Sequence, residues 1–119
     1  MIKNMKDMKS LRHYQALQYA LEQIRKSELG PLVESVYLYG SCARGEEKWN
    51  SDVDLLVQLK EVENDSKIKR AILILKGSAS TDDWKDPEAD LKFVFGAGWK
   101  KDSMLFYKNV KREGIEVWR

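Results

Sequence analysis

An α/β (α+β) domain, with helices packed on a small mixed β-sheet, is the fold class that this sequence predicts. Three observations point there. Apolar residues recur at spacings of three and four near the start of the chain and again around residues 68–75, the pattern of amphipathic helices. Short runs rich in β-branched and aromatic residues, at 35–39, 52–59 and 89–95, alternate with them. The order α-β-α-β-α-β-α-β in a chain of 119 residues then implies one domain with a single small sheet.

The first helix is carried by Leu11, Tyr14, Leu17, Leu21 and Ile24, widened by Ala20, with Ser10 as its N-cap and Gly30-Pro31 as its stop. Residues 35–39 form a strand closed by Gly40, and the polar stretch 41–51 has room for a short helix. In the second strand, 52–59, Leu55-Leu56-Val57 are apolar on both faces, as in an inner strand covered on two sides. Ile68, Ala71, Ile72 and Leu75 set a second long helix from about Asp65 to Lys76, and residues 77–88, with Pro87, read as a loop. The third strand, 89–95, alternates, with Asp90 and Lys92 on one face and Leu91 and Phe93 on the other. Gly96 and Gly98 break it. Asp102 can cap a helix over 103–113 that Gly114 ends, and residues 115–118 make a last edge strand.

Composition narrows the class. Apolar residues make up 43% and charged ones 34%, which suits a folded domain and not a disordered chain. The formal charge of +2 is too small to imply a nucleic-acid partner, so no stable nucleic-acid binding is expected. Cys42 is the only cysteine, so no internal disulfide is possible and a reducing, cytoplasmic setting is expected. No apolar run approaches the ~20 residues of a membrane span. The lysine-bearing start lacks the apolar segment of a secretory signal, and residues 1–9 are expected to fray.

The informative chemistry lies in Tyr39-Gly40-Ser41-Cys42-Ala43-Arg44-Gly45 and Ser51-Asp52-Val53-Asp54-Leu55-Leu56. Glycine at a strand end allows a sharp turn and close approach of a ligand. A helix starting at Ser41 would aim its free amides and positive end at the same point, which suits phosphate. Ser41 adds a hydroxyl and Arg44 a permanent positive charge. Asp52 and Asp54, two apart on a strand, face one side at roughly 6–7 Å spacing. Their mutual repulsion is about 3 kcal/mol at an effective dielectric near 20. A hard cation such as Mg²⁺, which takes oxygen ligands, would account for the pairing. Alone, Gly-Ser is an ordinary strand-to-helix turn and Asp-x-Asp a solvated strand end. Together they place a phosphate cradle and a metal-binding pair at one sheet edge.

Gly40-Ser41, ten intervening residues and Asp52-x-Asp54 resemble the signature of the DNA polymerase β-type nucleotidyltransferase superfamily. The fuller string, with Ala43-Arg44-Gly45, Ser51 and Leu55, and the closing stretch with Lys111-Arg112-Glu113-Gly114 resemble its minimal members, the MNT proteins. That resemblance implies the nucleotidyltransferase fold over residues 1–119 as a single minimal domain. It implies Mg²⁺ and a nucleoside triphosphate, ATP first, with AMP passed to a hydroxyl of a protein acceptor. It also implies a third carboxylate on a neighbouring strand. Asp90 is the candidate for that role; Asp82, Asp83 and Asp86 are rivals in a polar loop. On this reading Asp52, Asp54 and Asp90 are catalytic and metal-binding, while Gly40, Ser41 and Arg44 bind nucleotide, Arg44 alternatively stabilising the local fold. MNT proteins accompany HEPN-domain ribonuclease toxins, so the implied partner is such a toxin, with this chain the antitoxin that adenylylates it. Two other roles stay open. One is a small-molecule transferase of the aminoglycoside type completed by a helical partner subunit; the other is a toxin-binding module without catalysis.

Four features remain. His13, with no other histidine or nearby cysteine, reads as a surface residue. Cys42 has no histidine to activate it and reads as a small filler. Lys100-Lys101 reads as a solvated loop. Trp49 either packs under the loop between the motif halves or contacts a base or partner.

Overall fold

A computed structural model describes residues 8–118. Its elements are α1 (Leu11–Lys26), β1 (Val33–Tyr39), α2 (Ser41–Arg44), β2 (Val53–Leu59), α3 (Ser66–Ser78), β3 (Ala89–Phe95), α4 (Leu105–Glu113) and β4 (Ile115–Glu116). Short 3₁₀ turns at Gly30–Leu32 and Gly98–Lys101 precede β1 and α4. The strands lie in the order β3-β2-β1-β4, with β1 antiparallel to both β2 and β4, and β2 parallel to β3. The mixed sheet predicted from the sequence is therefore present, and the predicted inner strand is β2.

Burial explains why β2 is central. Val53, Leu55, Val57 and Leu59 point into the main core, against Leu17, Ala20, Leu21 and Ile24 of α1 and Ala71 and Leu75 of α3. Leu56 points the other way, into a second cluster with Trp99 and Val110, edged by Tyr37, Tyr39, Phe106 and Tyr107. Each fully buried Leu or Val contributes about 1.5–3 kcal/mol relative to exposure. Gln58 shares the second face and is buried. Its amide oxygen accepts from Trp99 Nε1 at 2.8 Å and its amide nitrogen donates to Glu34 at 2.8 Å, so both ends are satisfied.

Several boundaries differ from the sequence reading. Leu17, Ala20, Leu21 and Ile24 are buried along α1 as the predicted stripe requires, and only its first turn departs: Leu11 is 57% exposed, whereas His13 is 1% exposed. His13 is thus a buried residue and not a surface one. Its burial is possible because Nδ1 meets Ser10 Oγ at 2.8 Å and Nε2 meets the Ser51 carbonyl oxygen at 2.8 Å. Ser10 caps α1 as expected, its hydroxyl accepting from His13 N, and Asp65 caps α3 by accepting from Ile68 N. Asp102 accepts from Met104 N one residue before α4 begins, so the helix starts later than 103. The last strand is two residues long, though Val117 N still donates to Val36 O at 2.9 Å. The expected fraying falls largely on residues 1–7, outside those described; Met8 is buried in the main core. Among the described residues no helix is long and apolar enough to cross a membrane.

His13 links α1 to the carbonyl directly before Asp52. His13→Ala leaves that carbonyl and a small cavity unfilled, and a loss of about 2–3 kcal/mol in urea-unfolding free energy is expected. An unchanged midpoint would show that the link carries no stability.

Candidate active site

The mouth of the site is where β1 ends, β2 begins and β3 begins. Antiparallel pairing sets Tyr39 beside Asp54, and parallel pairing sets Asp54 beside Asp90. The three residues form one row across three strands and share the sheet face of Leu56, Gln58 and Lys92. Asp90, the provisional third acid, is thus Asp54's immediate neighbour. Asp82, Asp83 and Asp86 lie before the strand, in the loop. Asp52 is one residue outside β2 and exposed, a step short of the strand position expected for it.

Gly40 makes the close approach possible. Its φ of 77° and ψ of −156° belong to a region that side chains rarely enter, and a Cβ there would sit 2.5 Å from Asp54 Oδ2. The turn therefore lies directly against the carboxylate. A one-turn helix, α2, starts at Ser41, and the Gly40 carbonyl accepts from Ala43 and Arg44 amides at 3.1 and 3.2 Å. Helical geometry leaves the amides of Ser41 and Cys42 without an intrahelical acceptor. Cys42 is fully buried under the turn, as the filler reading expects, with Sγ 3.6 Å from the Asp52 carbonyl. Burial, then the charges of Glu47, Asp54 and Asp52, push its thiol up to about 12, so it is no nucleophile.

Arg44 is committed to protein partners. Its Nε donates to Glu46 at 2.8 Å, and its Nη1 donates to both Glu113 oxygens at 3.1 and 3.2 Å. Glu113 Oε2 also accepts from Gly40 N at 2.7 Å. Of the two roles expected for Arg44, this geometry supplies the fold-stabilising one: it clamps the turn to the end of α4. Sequence reasoning met Glu113 only as part of the closing stretch Lys111-Arg112-Glu113-Gly114 and gave it no place in the site, because it lies far along the chain. The available signal was an acid in the last turn of a helix, where the macrodipole disfavours it.

The electrostatics are one-sided. Burial first, then the charges of Asp90 and Asp52, raise the Asp54 carboxyl from 3.8 to about 6, with Lys92 and Arg44 partly opposing. Burial and the charges of Asp54 and Asp90 likewise push the Tyr39 phenol above its ordinary value. Lys92 Nζ sits 3.3 Å from Asp90 Oδ2 and is the cation that sequence reasoning left unused. These residues fit a divalent cation in chemistry: three carboxylates with hard oxygen donors, one of them raised to about 6 by burial and then by neighbouring negative charge that a cation would offset. Among the described residues, no three His, Cys, Asp or Glu side chains are already gathered about one point in a metal-holding group.

The nucleotidyltransferase domain family model matches residues 18–112, a span that holds Gly40, Ser41, Arg44, Asp52, Asp54 and Asp90 and stops one residue short of Glu113. The chain belongs to the nucleotidyltransferase domain family. A crystal structure of a Sulfolobus solfataricus protein assigned as a nucleotidyltransferase is similar in fold, with a TM-score of 0.56 at 18% identity. The match covers 91% of this chain and 84% of that one. No curated protein matches this chain.

Two outcomes follow from the geometry. A carboxyl raised to about 6 in the folded state and lower when unfolded makes the metal-free fold lose stability as pH rises from about 4 to 6. Asp54→Asn removes that burden, and a gain of about 1–2 kcal/mol at pH 7.5 is expected after allowing for solvent screening. Urea unfolding with chelator present should show the gain at pH 7.5 and its disappearance near pH 4; a loss at pH 7.5 would contradict the strained-carboxylate picture. Glu113→Ala releases the Gly40 turn, so KM for nucleoside triphosphate should rise roughly tenfold with kcat less affected. Glu113→Gln, which still offers the Gly40 amide an acceptor, should recover much of that. A fall in KM would mean instead that the carboxylate competes with phosphate.

Proposed function

We propose that this member of the nucleotidyltransferase family transfers a nucleoside monophosphate, AMP from ATP, to a hydroxyl of a protein acceptor with Mg²⁺ as cofactor. The observation that carries the reading is the row Tyr39–Asp54–Asp90 fixed by strand register, with Gly40 packed against the Asp54 carboxylate. Asp52 and Asp54, with Asp90, would hold the metal. Bound there, it would neutralise triphosphate oxygens and the charge that develops as pyrophosphate leaves.

The chain's own groups do the rest. The amides of Ser41 and Cys42, the Ser41 hydroxyl and the positive end of α2 bind the outer phosphates. Gly40 keeps that cradle free of a side chain, and Arg44 with Glu113 holds its backbone in place. Asp90 accepts the proton of the acceptor hydroxyl. The acceptor oxygen forms a bond to the α-phosphorus as the bond to pyrophosphate breaks, and pyrophosphate departs over Gly40-Ser41. Resemblance to the minimal nucleotidyltransferases supports a HEPN-domain ribonuclease toxin as the acceptor, with this chain acting as its antitoxin.

Asp52→Asn combined with Asp54→Asn should abolish transfer of label from α-labelled ATP to protein, read by gel autoradiography with Mg²⁺ and the candidate toxin. The Asp90→Asn variant should retain ATP binding while losing transfer by at least roughly a hundredfold. Transfer that persists in the double variant would sink the site assignment, and toxin neutralisation that persists without transfer would favour a purely binding role.

A further inference from the structure

The same end of the sheet carries a concavity that shares only Asp52 with the proposed metal site; the rest of its lining has no part in the proposed reaction. It has a volume of about 160 Å³ and is lined chiefly by Arg12, Trp49, Asp52, Trp84, Asp86 and Glu88. Trp49 is 62% exposed and Trp84 82%, whereas Trp99 is 6% exposed. Two large indoles left in water beside one cavity mark a binding surface more than a packing one.

The concavity is held in shape. The Arg12 guanidinium lies 4.3 Å from the centre of the Trp49 ring. It donates to the Trp49 carbonyl at 3.1 Å and to the Lys85 carbonyl at 2.6 and 3.2 Å. One side chain thus ties the loop before β2 to the loop before β3. The Thr81 hydroxyl donates to Asp86 Oδ2 at 2.7 Å, fixing a second wall. Among the described residues no ion pair involves Asp52, Asp86 or Glu88.

Position adds the decisive argument. In an in-line displacement the attacking oxygen and the leaving group stand on opposite sides of phosphorus. With pyrophosphate leaving over Gly40-Ser41 at the end of β1, attack comes from the far side of β2. The order β3-β2-β1 puts β3 there, and the concavity opens at the start of β3.

We propose that this concavity is the acceptor subsite and that it receives a Lys or Arg side chain next to the modified hydroxyl in a protein segment. The proposal rests on the nucleotidyl-transfer reading. Carboxylates and indole faces together are the chemistry of ammonium and guanidinium recognition. Arg12 on Trp49 already shows the indole half of it within the chain, and the exposed Trp84 with Asp86 and Glu88 is left for a guest. With Asp52 assigned to the metal, a phosphorylated acceptor would still meet the like charges of Asp86 and Glu88. The Arg12 guanidinium is taken up by the Trp49 ring and two carbonyls. The volume is below the roughly 300 Å³ of ordinary small-molecule sites and suits one long side chain better than a multi-ring amino sugar.

The test uses the full chain with Mg²⁺ and a non-hydrolysable ATP analogue. Two synthetic peptides, one with Arg beside a serine and one with Gln in place of that Arg, are titrated while tryptophan fluorescence is followed. Analogue binding alone is measured by calorimetry. The Arg peptide should bind roughly tenfold more tightly. Trp84→Ala and Glu88→Gln, both at exposed positions, should each erase most of that preference while analogue affinity and circular dichroism stay unchanged. Equal affinity for the two peptides, or a preference untouched by both variants, would overturn the subsite and leave the nucleotide reading standing. Tighter binding of an aminoglycoside than of the Arg peptide would overturn the protein source. Failure of the wild-type chain to bind the analogue would overturn the underlying reading, and the subsite with it.

Discussion

Strand β2 must be buried along most of its length and charged at its mouth, and the rest of the molecule is arranged around that conflict. Leu55, Leu56, Val57 and Leu59 are fully enclosed, with α1 and α3 on one side and Trp99 and Val110 on the other. At about 1.5–3 kcal/mol each, they outweigh a carboxylate repulsion of about 3 kcal/mol. The apolar run therefore fixes the strand between β1 and β3, and hydrogen-bonded register then forces Asp54 against Asp90. Charge crowding at the mouth is a consequence of burial farther along.

The turn after β1 adds a second constraint. Gly40 has room only because it lacks a side chain, and its amide is held by Glu113, the last residue of α4. The end of α4 is thus part of what holds the Gly40 turn, although it lies far from the two motif halves in sequence. Arg44 completes the link through charge-assisted bonds to the same carboxylate.

Much of this was legible from residue order. The doubly apolar Leu55-Leu56-Val57 identified the central strand, and the alternation of Asp90 and Lys92 with Leu91 and Phe93 gave β3 its correct facing. Asp90 was preferred to Asp82, Asp83 and Asp86 because only it begins an alternating run, and strand register sets it beside Asp54. What stayed hidden depends on contacts between distant segments. His13 looked solvated because its acceptor is the Ser51 carbonyl, on a loop no local pattern connects to α1. The role of Arg44 turned on Glu113, and the burial of Trp99 on the amide of Gln58. Strand register across β2 and β3 could not be read either, since α3 and a long loop separate them. The exposed pair Trp49 and Trp84 shows the same limit: their types were visible, and their convergence on one cavity was not.

Cys42 has a use outside the chemistry. It is the chain's single cysteine, sealed beneath the α2 turn with its thiol raised to about 12, so alkylating and maleimide reagents will find almost no thiolate at neutral pH. One cysteine introduced on the surface would then carry a fluorophore or spin label at a single known position. The native chain serves as its own unlabelled background, and distances to a bound partner can be mapped without first removing a residue from the core.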